Sequence, residues 1–227
     1  MKQFSIEIYS DIVCPWCYVG KRYIDKALEH YRRLYAKERQ PEVSWLPFQL
    51  HAALPREGVD RKEYLKRRYP GKANDPMMFA DAERAGRQMG IEYRFDRIEV
   101  QPNTLDAHRL LRFAERAGLR ETVAEPLYRA YFIEGRNLSS HDELIAIGGE
   151  CGLEVEALRA YLDSDVDIDW VQTVDARAKR LGITTVPFIV LNGRRGMSGN
   201  TQPARILEAF EWARRDYARP KWLPSFF

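Results

Sequence analysis

Two cysteines separated by two residues, Cys14 and Cys17, are the side chains of this sequence best suited to chemistry. That spacing lets the sulfurs bridge within one helical turn, so the pair can cycle between dithiol and disulfide. In such chemistry one thiolate attacks a partner's disulfide and the second cysteine resolves the mixed disulfide that results. Zinc binding is the alternative, but a structural zinc takes four ligands, usually as two pairs. Here the third cysteine, Cys151, stands alone, and His30, His51, His108 and His141 show no paired spacing. Redox chemistry with no metal and no bound cofactor is therefore expected.

The pair sits in Ser10-Asp11-Ile12-Val13-Cys14-Pro15-Trp16-Cys17-Tyr18. Ahead of it, Ser5-Ile6-Glu7-Ile8-Tyr9 alternates like a strand. Behind it, Val19, Tyr23, Ala27, Leu28, Tyr31 and Leu34 recur at helical spacing. The cysteines thus fall at a helix N-terminus, where unpaired N–H groups and the helix dipole stabilise a thiolate. Cys14, the N-terminal member, gains most and is assigned the attack, with Cys17 as resolving cysteine. Pro15 suits the first helical position because it has no N–H to lose. Trp16, between the cysteines, is assigned to the surface that meets a partner.

The rest of the chain must position this motif. Residues 42–50 read as a second strand, and Pro47, which cannot donate to a ladder, puts that strand at an edge or a bulge. From about 56 to 182 the pattern is helical and charged. Gly90, Gly118 and Gly182 act as helix stops, Asn103 or Thr104 as a cap, Ser140 with Glu143 as a capping box, and Asp167 or Asp169 opens the last helix. The period then returns to β: residues 185–191 form a short strand, Asn192-Gly193 signals a two-residue hairpin, 195–198 return, and Pro203 opens a final helix. The expected class is α/β, with a discontinuous sheet domain (1–55 and 183–227) that brackets an all-helical insertion (56–182).

Taken together, these motifs resemble the DsbA-like thioredoxin superfamily, and within it most closely the FrnE-like dithiol–disulfide oxidoreductases. The resemblance is carried by Ser10-Asp11-x-x-Cys14-Pro15-Trp16-Cys17-Tyr18-x-Gly20, Trp45-x-Pro47-Phe48-x-Leu50, Asn103-Thr104 with Ala107-His108-Arg109, Thr185-Val186-Pro187-Phe188, Ser198-Gly199 and Gln202-Pro203. It implies a thioredoxin-like fold with an inserted helical domain. It also implies that Pro187 is a cis-proline facing the cysteines, with Val186 offering backbone groups to an extended substrate. Some members carry a second cysteine pair near the C-terminus. The tail at 219–227 has none, so a second redox relay is not expected.

Other classes fare less well. Against 36 basic and 33 acidic residues, short clusters such as Tyr31-Arg32-Arg33 read as solvated helix faces, not a nucleic-acid site. No apolar run is long enough to span a membrane. The opening Met1-Lys2-Gln3-Phe4 runs straight into the strand without a secretory-signal pattern, and three cysteines do not make a disulfide scaffold, so a cytoplasmic setting is expected. Cys151, near a helix end, is read as buried and inert. His108 and Arg109 lie mid-helix; the resemblance alone would bring them near the cysteines. The expected partners are protein or small-molecule disulfides and thiols, glutathione among them. Two alternatives stay open: a glutathione-dependent isomerase or transferase, which would not need Cys17, and a non-enzymatic redox-sensing or partner-binding module.

Overall fold

The alternating run near the N-terminus builds β1 (Ser5–Ser10), and the helical spacing after the cysteines builds α1 (Pro15–Leu34). These come from a computed structural model that describes residues 4–72, 75 and 77–218. Cys14 is the N-cap of α1, with extended backbone, and Pro15 takes the first helical position. Arg32 and Arg33 occupy the last turn, where cations complement the helix dipole. β2 (Glu42–Pro47) follows.

The insertion then runs through β3 (Val59–Asp60), α2 (Arg61–Arg68), α3 (Ala80–Gln88), β4 (Val100–Gln101), α4 (Leu105–Arg116), α5 (Arg120–Arg129), α6 (His141–Glu150), α7 (Val155–Asp163) and α8 (Ile168–Arg180). Helices make up nearly all of it, but β3 and β4 pair as a two-residue antiparallel ribbon. So short a pairing leaves no period to read in the sequence. It fixes the start of α2, where Asp60 accepts from Glu63 N and Arg61 N donates to Glu99 O at 2.8 Å. Ser140 caps α6 by accepting from Glu143 N, as the capping box requires. Pro126 sits inside α5, and the chain after that helix loosens into a π turn at Ala130–Glu134, closed by Gly135.

The chain returns through β5 (Phe188–Leu191), β6 (Arg195–Ser198) and α9 (Pro203–Ala218). β5 begins three residues later than the sequence pattern suggested, because residues 185–187 turn before the strand starts. The main sheet has the order β2–β1–β5–β6. β1 is parallel to β2 and antiparallel to β5, with Ile8 opposite Trp45 on one side and Ile189 on the other. Pro47 therefore does lie on an edge strand. The hairpin differs from expectation: Leu191 pairs with Arg195, so its loop holds three residues, not two. Asn192 and Gly193 both take positive φ, and Arg194 is the extra residue. The Asn192 side chain also accepts from Ser5 N and donates to Ala213 O, which ties the loop to β1 and α9.

The sheet buries a core on each face. Ile6, Ile8, Ile189 and Leu191 meet Ile24, Leu28 and Tyr31 of α1 and Ile206 and Phe210 of α9. Each such side chain contributes on the order of 2 kcal/mol by leaving water. The second core joins Tyr9, Ile12, Cys14, Cys17 and Tyr18 to Leu110, Leu127, Tyr128, Tyr131 and Phe132 of the insertion. The helical block is thus packed directly over the cysteines. α8 closes the edge: Asp175 accepts from Gln49 N at 2.8 Å, and Arg177 pairs with Glu7 at 3.2 Å. The tail at 219–227, where no second cysteine pair was found, lies outside the described residues.

Candidate active site

β1 ends at Ser10, and a short turn carries the chain to Cys14, whose N–H donates to Asp11 O at 3.1 Å. The N-cap position leaves the Cys14 thiol at the mouth of α1. Cys14 is 6% exposed, whereas Cys17, one turn deeper, is fully buried. Both are free thiols. The Cys14 thiol donates to Val186 O at 3.4 Å, so the turn before β5 lies directly against this sulfur. The Val186–Pro187 peptide is cis.

Glycine makes that approach possible. A Cβ on Gly20 would overlap the Pro187 ring and lie 3.1 Å from Gly199 O. A Cβ on Gly199 would lie 3.0 Å from Pro187 Cβ. Pro187 therefore sits in a slot between two residues that lack side chains. On the other flank, the Tyr93 hydroxyl donates to Pro15 O at 2.6 Å, and Tyr18 stacks on Tyr128 at 4.9 Å. The insertion thus supplies a rigid aromatic wall to the cysteine turn.

Burial pushes the Cys17 thiol well above the usual cysteine range, and the hydrogen bond and charge of Cys14 push it further. Asp11 acts in both directions: its N–H donates to Cys17 Sγ at 3.4 Å and favours the thiolate, while its carboxylate disfavours it. Among the described residues, no group of three His, Cys, Asp or Glu side chains could hold a metal ion.

The chain matches the DSBA-like thioredoxin domain over residues 5–211. It belongs to the DsbA-like thioredoxin family. A probable DsbA oxidoreductase from Streptomyces coelicolor is similar in structure, with 28% identity, a TM-score of 0.84, and coverage of 98% of this chain and 94% of that one. The cytosolic disulfide reductase DsbM of Pseudomonas aeruginosa, solved with GSH, has a TM-score of 0.65 at 18% identity, covering 93% of this chain and 99% of its own. YwbO of Bacillus subtilis is 25% identical over 187 residues, which is 82% of this chain and 86% of that protein.

In this DsbA-like protein, Cys14, Pro15, Cys17, Val186 and Pro187 converge at one end of the sheet. Trp16 is half-buried and packs on the core beside the insertion. Cys151 lies at the C-cap of α6, half-buried where full burial was expected, and burial followed by the Glu150 charge raises its thiol. Three roles escaped sequence reading. Gly20 and Asp11 stood in the motif without an assigned task, although an aspartate in the apolar run beside Ile12 and Val13 is itself a signal. Arg109 is fully buried, and it pairs with Asp106 and donates to the carbonyls of Tyr161, Leu162, Ser164 and Val166. It closes the end of α7 and so is structural. Asn103 accepts from Leu105 N as a cap, and also bonds Leu54 O and Gln49, linking α4 to the loop after β2.

Among the described residues, no helix is long and apolar enough to cross a membrane.

Proposed function

We propose that this chain is a dithiol–disulfide oxidoreductase of the FrnE-like branch, in which Cys14 attacks and Cys17 resolves. The observation that carries the reading is the placement of the two sulfurs: Cys14 caps α1 against Val186 O and keeps a little exposure, whereas Cys17, one turn below, has none. An attacking thiol needs access and helix-terminus stabilisation, whereas a resolving thiol needs only to reach its partner. Pro15, Trp16, Val186 and Pro187 form the substrate-binding surface. An extended segment of the partner pairs with the Val186 backbone while its disulfide meets Cys14.

The partners are protein or small-molecule disulfides, and a thiol such as glutathione recycles the pair; the fold shared with DsbM, solved with GSH, supports this choice. The reaction needs no bound cofactor. The cytoplasm is the setting, and the catalytic unit is the discontinuous domain of residues 1–55 and 183–227, covered by 56–182.

Titration of the Cys14–Cys17 pair against a glutathione redox buffer fixes the direction of the reaction. Catalysed reduction of insulin by dithiothreitol tests the activity itself. Cys14→Ser should abolish it, and Cys17→Ser should accumulate a mixed disulfide on Cys14. No acceleration by the native protein, or full activity in Cys17→Ser, would overturn the reading.

A further inference from the structure

The insertion reaches into the cysteine motif through a tyrosine. Tyr93, in the loop between α3 and β4, donates its hydroxyl to Pro15 O at 2.6 Å. Its ring is held from several sides. It stacks on Phe95 at 5.0 Å and meets Tyr18 and Phe132 edge to face at 6.1 and 5.2 Å. Gly86 of α3 makes room for it, since a Cβ there would lie 2.6 Å from the ring. The loop is pinned as well: Ile91 N donates to Gly86 O at 2.9 Å, and Arg94 N to Phe132 O at 2.8 Å. Tyr93 is buried, so its hydroxyl is fixed at one point of the motif.

That point matters to the sulfur beside it. The N–H groups of Cys17 and Tyr18 both donate to Cys14 O, at 2.9 and 3.3 Å, and Pro15, the first helical residue, has no N–H. Among the described residues, the Trp16 N–H is therefore the donor of this first turn left for a Cys14 thiolate. An N-cap side chain ordinarily takes the N–H of the second or third helical residue, and Trp16 is the second. The Trp16 N–H and the Pro15 carbonyl are the two ends of one peptide group. A donor on the oxygen polarises that group and makes its N–H a stronger donor at the other end. The Pro15 carbonyl already belongs to the helix ladder, so the Tyr93 bond is not needed to satisfy it.

We propose that Tyr93 is a positioning residue that sets the redox balance of the pair: by polarising the Pro15–Trp16 peptide toward Cys14, it favours the Cys14 thiolate and with it the dithiol form. This rests on the disulfide-exchange reading above. The negative charge exists only in the reduced protein, so the hydroxyl stabilises dithiol over disulfide and makes the pair a stronger oxidant. Burial, and then the Cys14 charge, push the Tyr93 hydroxyl far above the usual tyrosine range, so it stays a donor wherever the thiolate forms.

The other polar groups packed around the motif are engaged elsewhere. Tyr18 of α1 donates its hydroxyl to Glu125 of α5 at 2.7 Å, and Glu125 also pairs with Arg22. Tyr128 of α5 is raised by burial and then by the charges of Cys17 and Cys14, and its hydroxyl has no hydrogen-bond partner among the described residues. The Asp11 N–H goes to Cys17 Sγ, and its Oδ2 accepts from Leu50 N. Tyr93 is thus the side chain that acts on the peptide between the two cysteines.

Equilibration with a glutathione redox buffer reads the effect. In that reaction the dithiol gives two electrons to glutathione disulfide, the Cys14–Cys17 bond forms, and two glutathione thiols are released. Tyr93→Phe keeps the ring and removes only the donor. Its equilibrium constant should move about two- to three-fold toward the protein disulfide, and its Cys14 thiolate absorbance should appear at higher pH than in the native protein. Tyr131→Phe removes another buried hydroxyl of the insertion, one that accepts from Arg61 at 3.5 Å, and should change neither quantity. Native values of both in Tyr93→Phe, or an equal shift in Tyr131→Phe, would overturn the role of Tyr93 while leaving disulfide exchange intact. A native protein that never equilibrates with the buffer would overturn the disulfide-exchange reading, and this role with it.

Discussion

Gly20 and Pro187 occupy one space: a Cβ on the glycine would overlap the proline ring. Gly20 lies on α1 one turn after Cys17, and Pro187 follows the residue whose carbonyl accepts from the Cys14 thiol. The absence of one methyl group therefore sets how closely the turn before β5 can approach the cysteine helix.

Gly20→Ala tests that relationship. Alanine favours a helix interior over glycine by about 1 kcal/mol. Overpacking against a proline ring and the Gly199 carbonyl costs about 1–3 kcal/mol, because neither can swing away as a flexible side chain would. Overpacking should win. Chemical denaturation should show net destabilisation, together with slower disulfide exchange. A variant as stable as the native protein would mean that the slot is loose.

Alkylation order checks the division of labour between the thiols. Cys14 is 6% exposed at the start of α1, and Cys17 is fully buried with its thiol pushed up by burial. Iodoacetamide labelling of the reduced protein, mapped by mass spectrometry, should modify Cys14 first. Equal or faster labelling of Cys17 contradicts the assignment.

The raised Cys17 thiol also makes stability depend on pH. A folded-state pKa above the unfolded one means that the folded state holds the proton longer, so the unfolded chain releases protons first as pH rises. The contribution is fully present below the free-thiol range, about 8.5, and is lost as pH climbs from there toward the folded value. Denaturant midpoints of the reduced protein should fall above that pH. Cys17→Ala should flatten the Cys17 part of the fall; Tyr18, raised to about 12 chiefly by burial, contributes only at still higher pH. An identical slope in the variant would show that Cys17 is not the group responsible.

Arg109 anchors the insertion. Arg109→Met keeps much of the volume but removes the guanidinium bonds to four carbonyls and to Asp106. Asp106, whose carboxyl burial would raise, is held below the usual range by Arg56 and Arg109 together, and Arg56 and His141 would remain against it. Breaking such a buried network costs about 3–5 kcal/mol. Thermal and denaturant unfolding should both register the loss. Retention of native stability would reduce Arg109 to a bystander.

What could be read from the residues alone is what local rules control. The Cys14–Cys17 spacing, the strand before it and the helix after it follow from period and turn chemistry within a few residues. So do the edge position of Pro47 and the capping box at Ser140. Local signals failed where the outcome depended on distant partners. Asn192-Gly193 announced a turn, but the register with β5 decided that its loop holds three residues. The β3–β4 ribbon was invisible because two residues carry no period. The decisive features of the site are of the same kind. Cys17 is buried because α5 and the π turn pack over it. Asp11 meets His108, Tyr93 meets Pro15 and Gly20 meets Pro187 only once the insertion and the closing hairpin have docked. Sequence patterning records the preferences of neighbours along the chain, whereas burial, long-range hydrogen bonds and close backbone approach arise when segments far apart in sequence compete for one volume.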